Sequence, residues 1–330
     1  MEARAAIVGV SGPALLDEEA KLFRAHQPAG AILFARNVVD PTQLRSLIAA
    51  LRAVLPARAV IMIDQEGGRV ARLRPPHWRA HPSAASIGAI TDPALAYTAA
   101  WNTGALIGLD CAKAGIDVVC APVLDLLHPG ASDIVGDRSY GADPALVARL
   151  GWGMARGLLA AGIQPVGKHA PGHGRASLDT HHALPTVDEV SLDDDIAVFA
   201  ASAGLPWMMT AHVIFAALDP DHPATVSSRV IQATIRDRIG FNGVLVSDDL
   251  AMRALSGPPG DRALAALAAG CDIALYCPGD MAGNRAVLEM SPPLTSMAIR
   301  RLADAAALAQ DSVFALDDAA LEHERDFLLS

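Results

Sequence analysis

The stretch GVLVSDD, Gly243 to Asp249, is an apolar run that two carboxylates end rather than interrupt. A strand with one wet face would alternate polar and apolar residues. A continuous apolar run bounded by Gly or Asp instead suits a parallel strand covered on both sides. The same pattern recurs in AAIVGV (5–10), GAILF (30–34), AVIMID (59–64), DVVCAPVLD (117–125), IQPVGKH (163–169), WMMTAHV (207–213) and IALYCP (273–278). Between most of these runs lie Ala/Leu/Arg-rich stretches of helical length, at 41–55, 93–114, 144–161, 192–203 and 261–269. Eight strand and helix units predict an α/β fold, a closed (β/α)8 TIM barrel, with residues 1–330 forming a single domain. A doubly wound open sheet is the structural alternative. It is disfavoured because VGVSGPALL lacks the glycine spacing of a dinucleotide site and no P-loop pattern occurs. No linker or shift in composition marks a second domain, and the residues from about Met281 onward are expected to supply barrel closure and a terminal helix.

The chain is 330 residues long, with 52% hydrophobic and 19% charged residues, enough apolar material for a large core. Its net charge of −10 offers no basic stripe, so no nucleic-acid partner is expected and a small molecule is. Ser11, Gly12 and Pro13 interrupt the first apolar run, and acidic residues follow where a signal peptide would be cleaved. No apolar segment reaches the roughly 20 residues needed to span a bilayer. Cys111, Cys120, Cys271 and Cys277 sit in apolar surroundings without a C-x-x-C pair, as reduced packing residues do. A cytoplasmic protein with no membrane partner is expected. Nothing in the sequence demands more than a monomer.

Polar residues fall at the carboxyl ends of the predicted strands. Asp64, Asp125, Lys168 with His169, His212, and Asp248 with Asp249 each close an apolar run. In a (β/α)8 barrel those ends converge on one face, where active sites are built. A single Asp there is as readily a helix cap or a turn former, and Asp125 and Asp249 are read that way. Alternation aims Asp249 away from whatever Asp248 faces. In IDQEGGRVARL (63–73), Gly67 and Gly68 are expected to let the backbone approach a ligand while Asp64 and Arg72 bind its hydroxyls. In GDRSYG (136–141), Arg138 either binds that ligand or pairs with Asp137 or Asp133.

GKHAPGHGRASLDTHHALP (167–185) is longer than an ordinary βα connection and reads as a lid, with Gly172 and Gly174 giving it freedom. Asp179 next to His181 forms a carboxylate and imidazole pair suited to proton transfer near neutral pH. His182 is read as solvated and His173 as steadying the loop. The histidines lack H-E-x-x-H spacing and no H-x-H follows the first strand, so neither metal nor cofactor is expected. A proton-transferring histidine, a carboxylate on another strand and a ring of hydroxyl-binding groups are the equipment of a retaining glycosidase, with histidine replacing one carboxylate.

IDQEGGRVAR, GDRSY, GKHAPGHG, DTH, MTAHV, GFNGVLVSDDLAM and AGCDIAL, in that order, resemble the β-N-acetylglucosaminidase branch of glycoside hydrolase family 3, from about Gly30 to Leu275. The resemblance implies a single-domain barrel that releases terminal β-linked N-acetylglucosamine with retention and without metal. It further implies cytoplasmic recycling of cell-wall fragments, cutting N-acetylglucosamine from 1,6-anhydro-N-acetylmuramic acid with or without attached peptide. By motif position it makes Asp248 the nucleophile, His181 the acid/base and Asp179 its partner. Asp64, Arg72, Arg138, Lys168 and His169 become the holders of the sugar's hydroxyl and acetamido groups. Ala170 departs from the family pattern, which carries an aromatic there, as do His182 and Ala183 after the dyad. Two rival readings use the same residues. A histidine acid/base does not repel phosphate, which allows phosphorolysis, and a silent sugar-binding barrel would need no turnover.

Overall fold

The computed structural model describes residues 2–129, 134–176, 184–188 and 191–330. Its strands are β1 (Arg4–Gly9), β2 (Pro28–Leu33), β3 (Val60–Ile63), β4 (Val118–Val119), β5 (Gln164–Ala170), β6 (Thr186–Val187), β7 (Trp207–Thr210), β8 (Ile214–Phe215), β9 (Val244–Asp249) and β10 (Ile273–Tyr276). Eight of them close a parallel barrel in the order β1-β2-β3-β4-β5-β7-β9-β10, while β6 and β8 pair with each other alongside it. β10 returns to β1 through Ala6 to Ala274, Ile7 to Leu275 and Val8 to Tyr276. The barrel read from the sequence is therefore the observed fold, and the open sheet is excluded.

The continuous apolar runs are explained by burial on both faces. Ile7, Val60, Met62, Val118, Val166, Trp207, Met209, Val244, Val246 and Ile273 fill the barrel interior. Their neighbours Ala6, Val8, Ile61, Ile63, Val119, Met208, Leu245 and Ala274 pack outward against the helices. Trp207 is fully buried, and its indole N–H donates to Gln164 Oε1 at 2.8 Å, so its one polar atom is satisfied. The interior is a packed core and not a channel.

The five predicted helices occur as Pro41–Arg52, Pro93–Ala114, Pro144–Ala160, Asp193–Ala201 and Pro259–Ala269. Three of them start with the same device. Asp40, Asp92 and Asp143 each accept two backbone N–H groups while a proline occupies the first helical position. Helices Pro93–Ala114 and Pro144–Ala160 approach so closely that a Cβ on Gly157 would lie 2.1 Å from Trp101 O.

The C-terminal part differs from the expectation. The barrel is already closed by β10, and the helices Met281–Met290, Ser296–Asp311 and Asp318–Leu329 follow it. Ala305 joins the barrel interior, with Leu294 and Leu302 packed against it, and Leu294 N–H donates to Ala3 O at 2.8 Å. This segment thus covers the amino-terminal mouth of the barrel. Among the described residues, no helix is long and apolar enough to cross a membrane.

Candidate active site

The period-two pattern of the barrel places the charged residues. On β3, Val60 and Met62 point inward, and Asp64 is the next position of that column. Lys168 follows Val166 on β5, and Asp248 follows Val244 and Val246 on β9. The three therefore meet at the carboxyl-terminal mouth. With Arg72, Arg138 and His169 they line a pocket of about 720 Å³ of empty space, solvent-open part included, over Ile32, Cys120, Met209 and Leu275. A register shift of β5 against β7 between Lys168 and Ala170 lets the consecutive residues Lys168 and His169 both face it.

An ion network organises one wall. Lys168 Nζ lies 2.7 Å from Asp64 Oδ1 and 2.6 Å from Glu66 Oε1, and Arg72 Nη2 lies 3.1 Å from Asp64 Oδ2. Arg138 donates from Nε and Nη2 to the two oxygens of Glu66, both at 2.8 Å. Glu66 is thus the described partner of Arg138; Asp137 pairs with Arg69 at 2.6 Å, and Asp133 lies outside the described residues. Burial pushes the Glu66 carboxyl up, but Lys168 and Arg138 prevail and hold it at about 2. The ammonium of Lys168 is raised in turn, because Asp64 and Glu66 outweigh its own burial.

The loop after β3 builds itself around Gln65. Its buried amide oxygen accepts the N–H groups of Arg72 (2.6 Å) and Leu73 (3.0 Å), and its nitrogen donates to Leu73 O at 3.0 Å. This brings Arg72 back to Asp64. Gly67 (φ +100°) and Gly68 (φ +54°) do not approach the pocket as expected: a Cβ on Gly67 would lie 2.3 Å from Pro82 O, and one on Gly68 2.9 Å from Ser83 Cβ. Their role is the tight turn and close backbone packing.

Asp125 is also not the cap or turn residue it was read as. Its buried carboxylate sits 2.7 Å from His169 Nδ1 and accepts the backbone N–H groups of His169 (3.1 Å) and His173 (2.7 Å). Burial works against the charge, and His169 with His173 holds the carboxyl well below its usual range. The same contacts fix the first part of the expected lid. Residues 169–174 are buried, and a Cβ on Gly174 would lie 1.9 Å from Leu126 O, so these glycines serve close packing rather than motion. Ala170 is fully buried on the outer side of the barrel, away from the pocket. His173 does line the pocket; burial lowers its pKa to about 4, and its Nδ1 has no hydrogen-bond partner among the described residues. His212 is fully buried, spanning Thr225 Oγ1 (2.7 Å) and the carbonyl oxygen of Asp249 (2.9 Å), and supports β9 from behind.

Both adjacent aspartates line the pocket, so alternation does not turn Asp249 away from it as expected, but the two carboxylates are held differently. Asp249 Oδ1 accepts N–H groups from Ala251 and Cys277, each at 3.0 Å, which is turn chemistry, and burial raises its pKa. Asp248 Oδ1 accepts the N–H of Asp249 at 2.8 Å. Burial raises the Asp248 pKa, but His169, His212, that N–H and Lys168 together bring it below the usual value. An ionised carboxylate thus faces a pocket ringed by hydrogen-bonding groups over an apolar floor, an arrangement suited to a polyhydroxylated ring. Asp179 and His181, with His182 and Ala183, lie outside the described residues.

The chain is similar to known proteins both in sequence and in structure. The profile of the Glycosyl hydrolase family 3 N terminal domain matches residues 5–304. The beta-hexosaminidase of Pseudomonas aeruginosa (strain LESB58) is 39% identical over 299 residues, covering 87% of this chain and 88% of that one. Native NagZ from Neisseria gonorrhoeae superposes with a TM-score of 0.87 at 30% identity, over 100% of this chain and 99% of that one. The same enzyme in complex with N-trifluoroacetyl-D-glucosamine gives a TM-score of 0.85 at 29% identity, with 100% and 98% coverage.

Proposed function

The chain belongs to glycoside hydrolase family 3 as a β-N-acetylhexosaminidase, and from that premise we propose that it removes terminal β-linked N-acetylglucosamine with retention, through a glycosyl-enzyme on Asp248. The observation that carries this reading is the placement of the Asp248 carboxylate at the barrel mouth, in one pocket with Asp64, Arg72, Arg138, Lys168 and His169. The complex of the Neisseria enzyme with an N-acylated glucosamine supports the sugar class. Imidazolium His181, oriented by Asp179, gives its proton to the leaving oxygen while Asp248 attacks the anomeric carbon and the glycosidic C–O bond breaks. Neutral His181 then takes a proton from water, whose oxygen displaces Asp248 and frees the sugar. The natural substrate in this reading is a cell-wall fragment carrying N-acetylglucosamine on 1,6-anhydro-N-acetylmuramic acid, processed in the cytoplasm by a single-domain enzyme.

Trapping with a 5-fluoro N-acetylglucosaminyl fluoride, followed by peptide mass spectrometry, is expected to label Asp248; label on Asp249 or on neither would overturn the assignment. Asp248→Asn should lower kcat by roughly 10⁴-fold. His181→Ala should slow both chemical steps, with a nitrophenyl leaving group rescuing only the first. A panel of aryl β-glycosides turned over with and without phosphate checks the acceptor. Free N-acetylglucosamine at a phosphate-independent rate is expected, and sugar 1-phosphate would replace hydrolysis by phosphorolysis.

A further inference from the structure

We propose that Glu66 is a positioning residue for sugar recognition: it holds Arg138 and Lys168 by chosen edges so that only their remaining N–H groups point at the substrate. The inference rests on the reading that this pocket holds the sugar through those two cations. Both line the pocket, whereas Glu66 lies behind them and does not line it. Its carboxylate is nearly unexposed (7%), and its backbone is fixed by an N–H bond to Val70 O at 2.8 Å.

The inventory of donors shows what this arrangement leaves over. A guanidinium has five N–H groups in a rigid fork. Glu66 takes the side edge of Arg138, Nε and one hydrogen of Nη2, at 2.8 Å each, and Ile134 O takes one hydrogen of Nη1 at 3.2 Å. Among the described contacts, one hydrogen on Nη1 and one on Nη2 remain. Lys168 directs two of its three N–H groups at Asp64 (2.7 Å) and Glu66 (2.6 Å), which leaves one. Three cations, Arg72, Arg138 and Lys168, share the two carboxylates Asp64 and Glu66. Without the charge of Glu66, Arg138 loses its bidentate anchor, and all three cations crowd on Asp64. Arg138 and Lys168 then still attract a sugar, but no longer select where its hydroxyls sit.

The test is discrimination rather than activity alone. Wild type and Glu66→Gln are assayed on 4-nitrophenyl β-N-acetylglucosaminide and on its 3-, 4- and 6-deoxy analogues. Wild type should lose roughly 10²-fold or more in kcat/KM when a hydroxyl held by these cations is removed. E66Q should be slower on the parent substrate, while that deoxy penalty shrinks by at least tenfold. A uniform loss on all four substrates, as a merely structural role would give, overturns the proposal. A wild type indifferent to every deoxy substitution overturns the reading of the pocket itself, and the proposal with it. If E66Q does not purify as folded protein, Glu66→Asp keeps the charge but withdraws it by one methylene; the same shrinkage is expected, and a uniform loss again refutes the idea.

Discussion

A carboxylate buried with its charge persists only where neighbouring groups outweigh its lost hydration, and Glu66 and Asp125 both meet that condition. Each has a folded-state pKa below that of the free side chain, Glu66 at about 2 against 4.5 and Asp125 also well depressed. For such groups, stability is fully present above the unfolded pKa and lost as pH falls through the folded one. Urea midpoints should therefore drop between about pH 4.5 and 2, and Glu66→Gln should flatten part of that decline. An unchanged slope in the variant would show that Glu66 is not held ionised. The six pocket residues Asp64, Arg72, Arg138, Lys168, His169 and Asp248 were legible because strand ends and nearby loop charges are visible along the chain. Glu66 and Asp125 were not, although both stand in quoted stretches. Their meaning lies in partners 72 and 44 positions away, and spacing along one sequence does not display such pairs.

Elements were legible where local chemistry and tertiary packing agree. The Asp-Pro starts of three helices and the unbroken apolar strands state their own boundaries. The segment Val230–Arg238 winds with the wider bonding of a π-helix, which has no simple apolar period to read. Glycines were misread for a related reason. The freedom of Gly172 and Gly174 is visible in sequence, but the backbone packed against Gly174 is not. The same logic yields a prediction for the helix pair Pro93–Ala114 and Pro144–Ala160. Gly157→Val places new atoms where Trp101 O and Ala105 N already sit, 2.1 and 2.6 Å from the added Cβ. Overpacking of this kind should cost roughly 1–3 kcal/mol or more, read as a lowered midpoint in chemical denaturation. A midpoint within error of wild type would mean that the two helices separate without penalty.

At the scale of the whole molecule, the barrel assigns chemistry and closure to opposite ends. The charged pocket stands on the carboxyl ends of the strands, and Ala305 with Leu294 and Leu302 fills the other mouth. The interior between them is largely apolar, and Ala305 is buried in it, so a carboxylate introduced there loses most of its hydration. Ala305→Asp should lower stability by roughly 3 kcal/mol, a shift of several degrees in Tm. The molecules that remain folded should keep a normal pocket, because no described polar contact of Asp248, Lys168 or Arg138 involves that helix. Active sites counted with the fluorinated donor should then turn over with wild-type kcat and KM. A raised KM per titrated site at a temperature well below the new midpoint would show instead that the two ends of the barrel are mechanically coupled through its core.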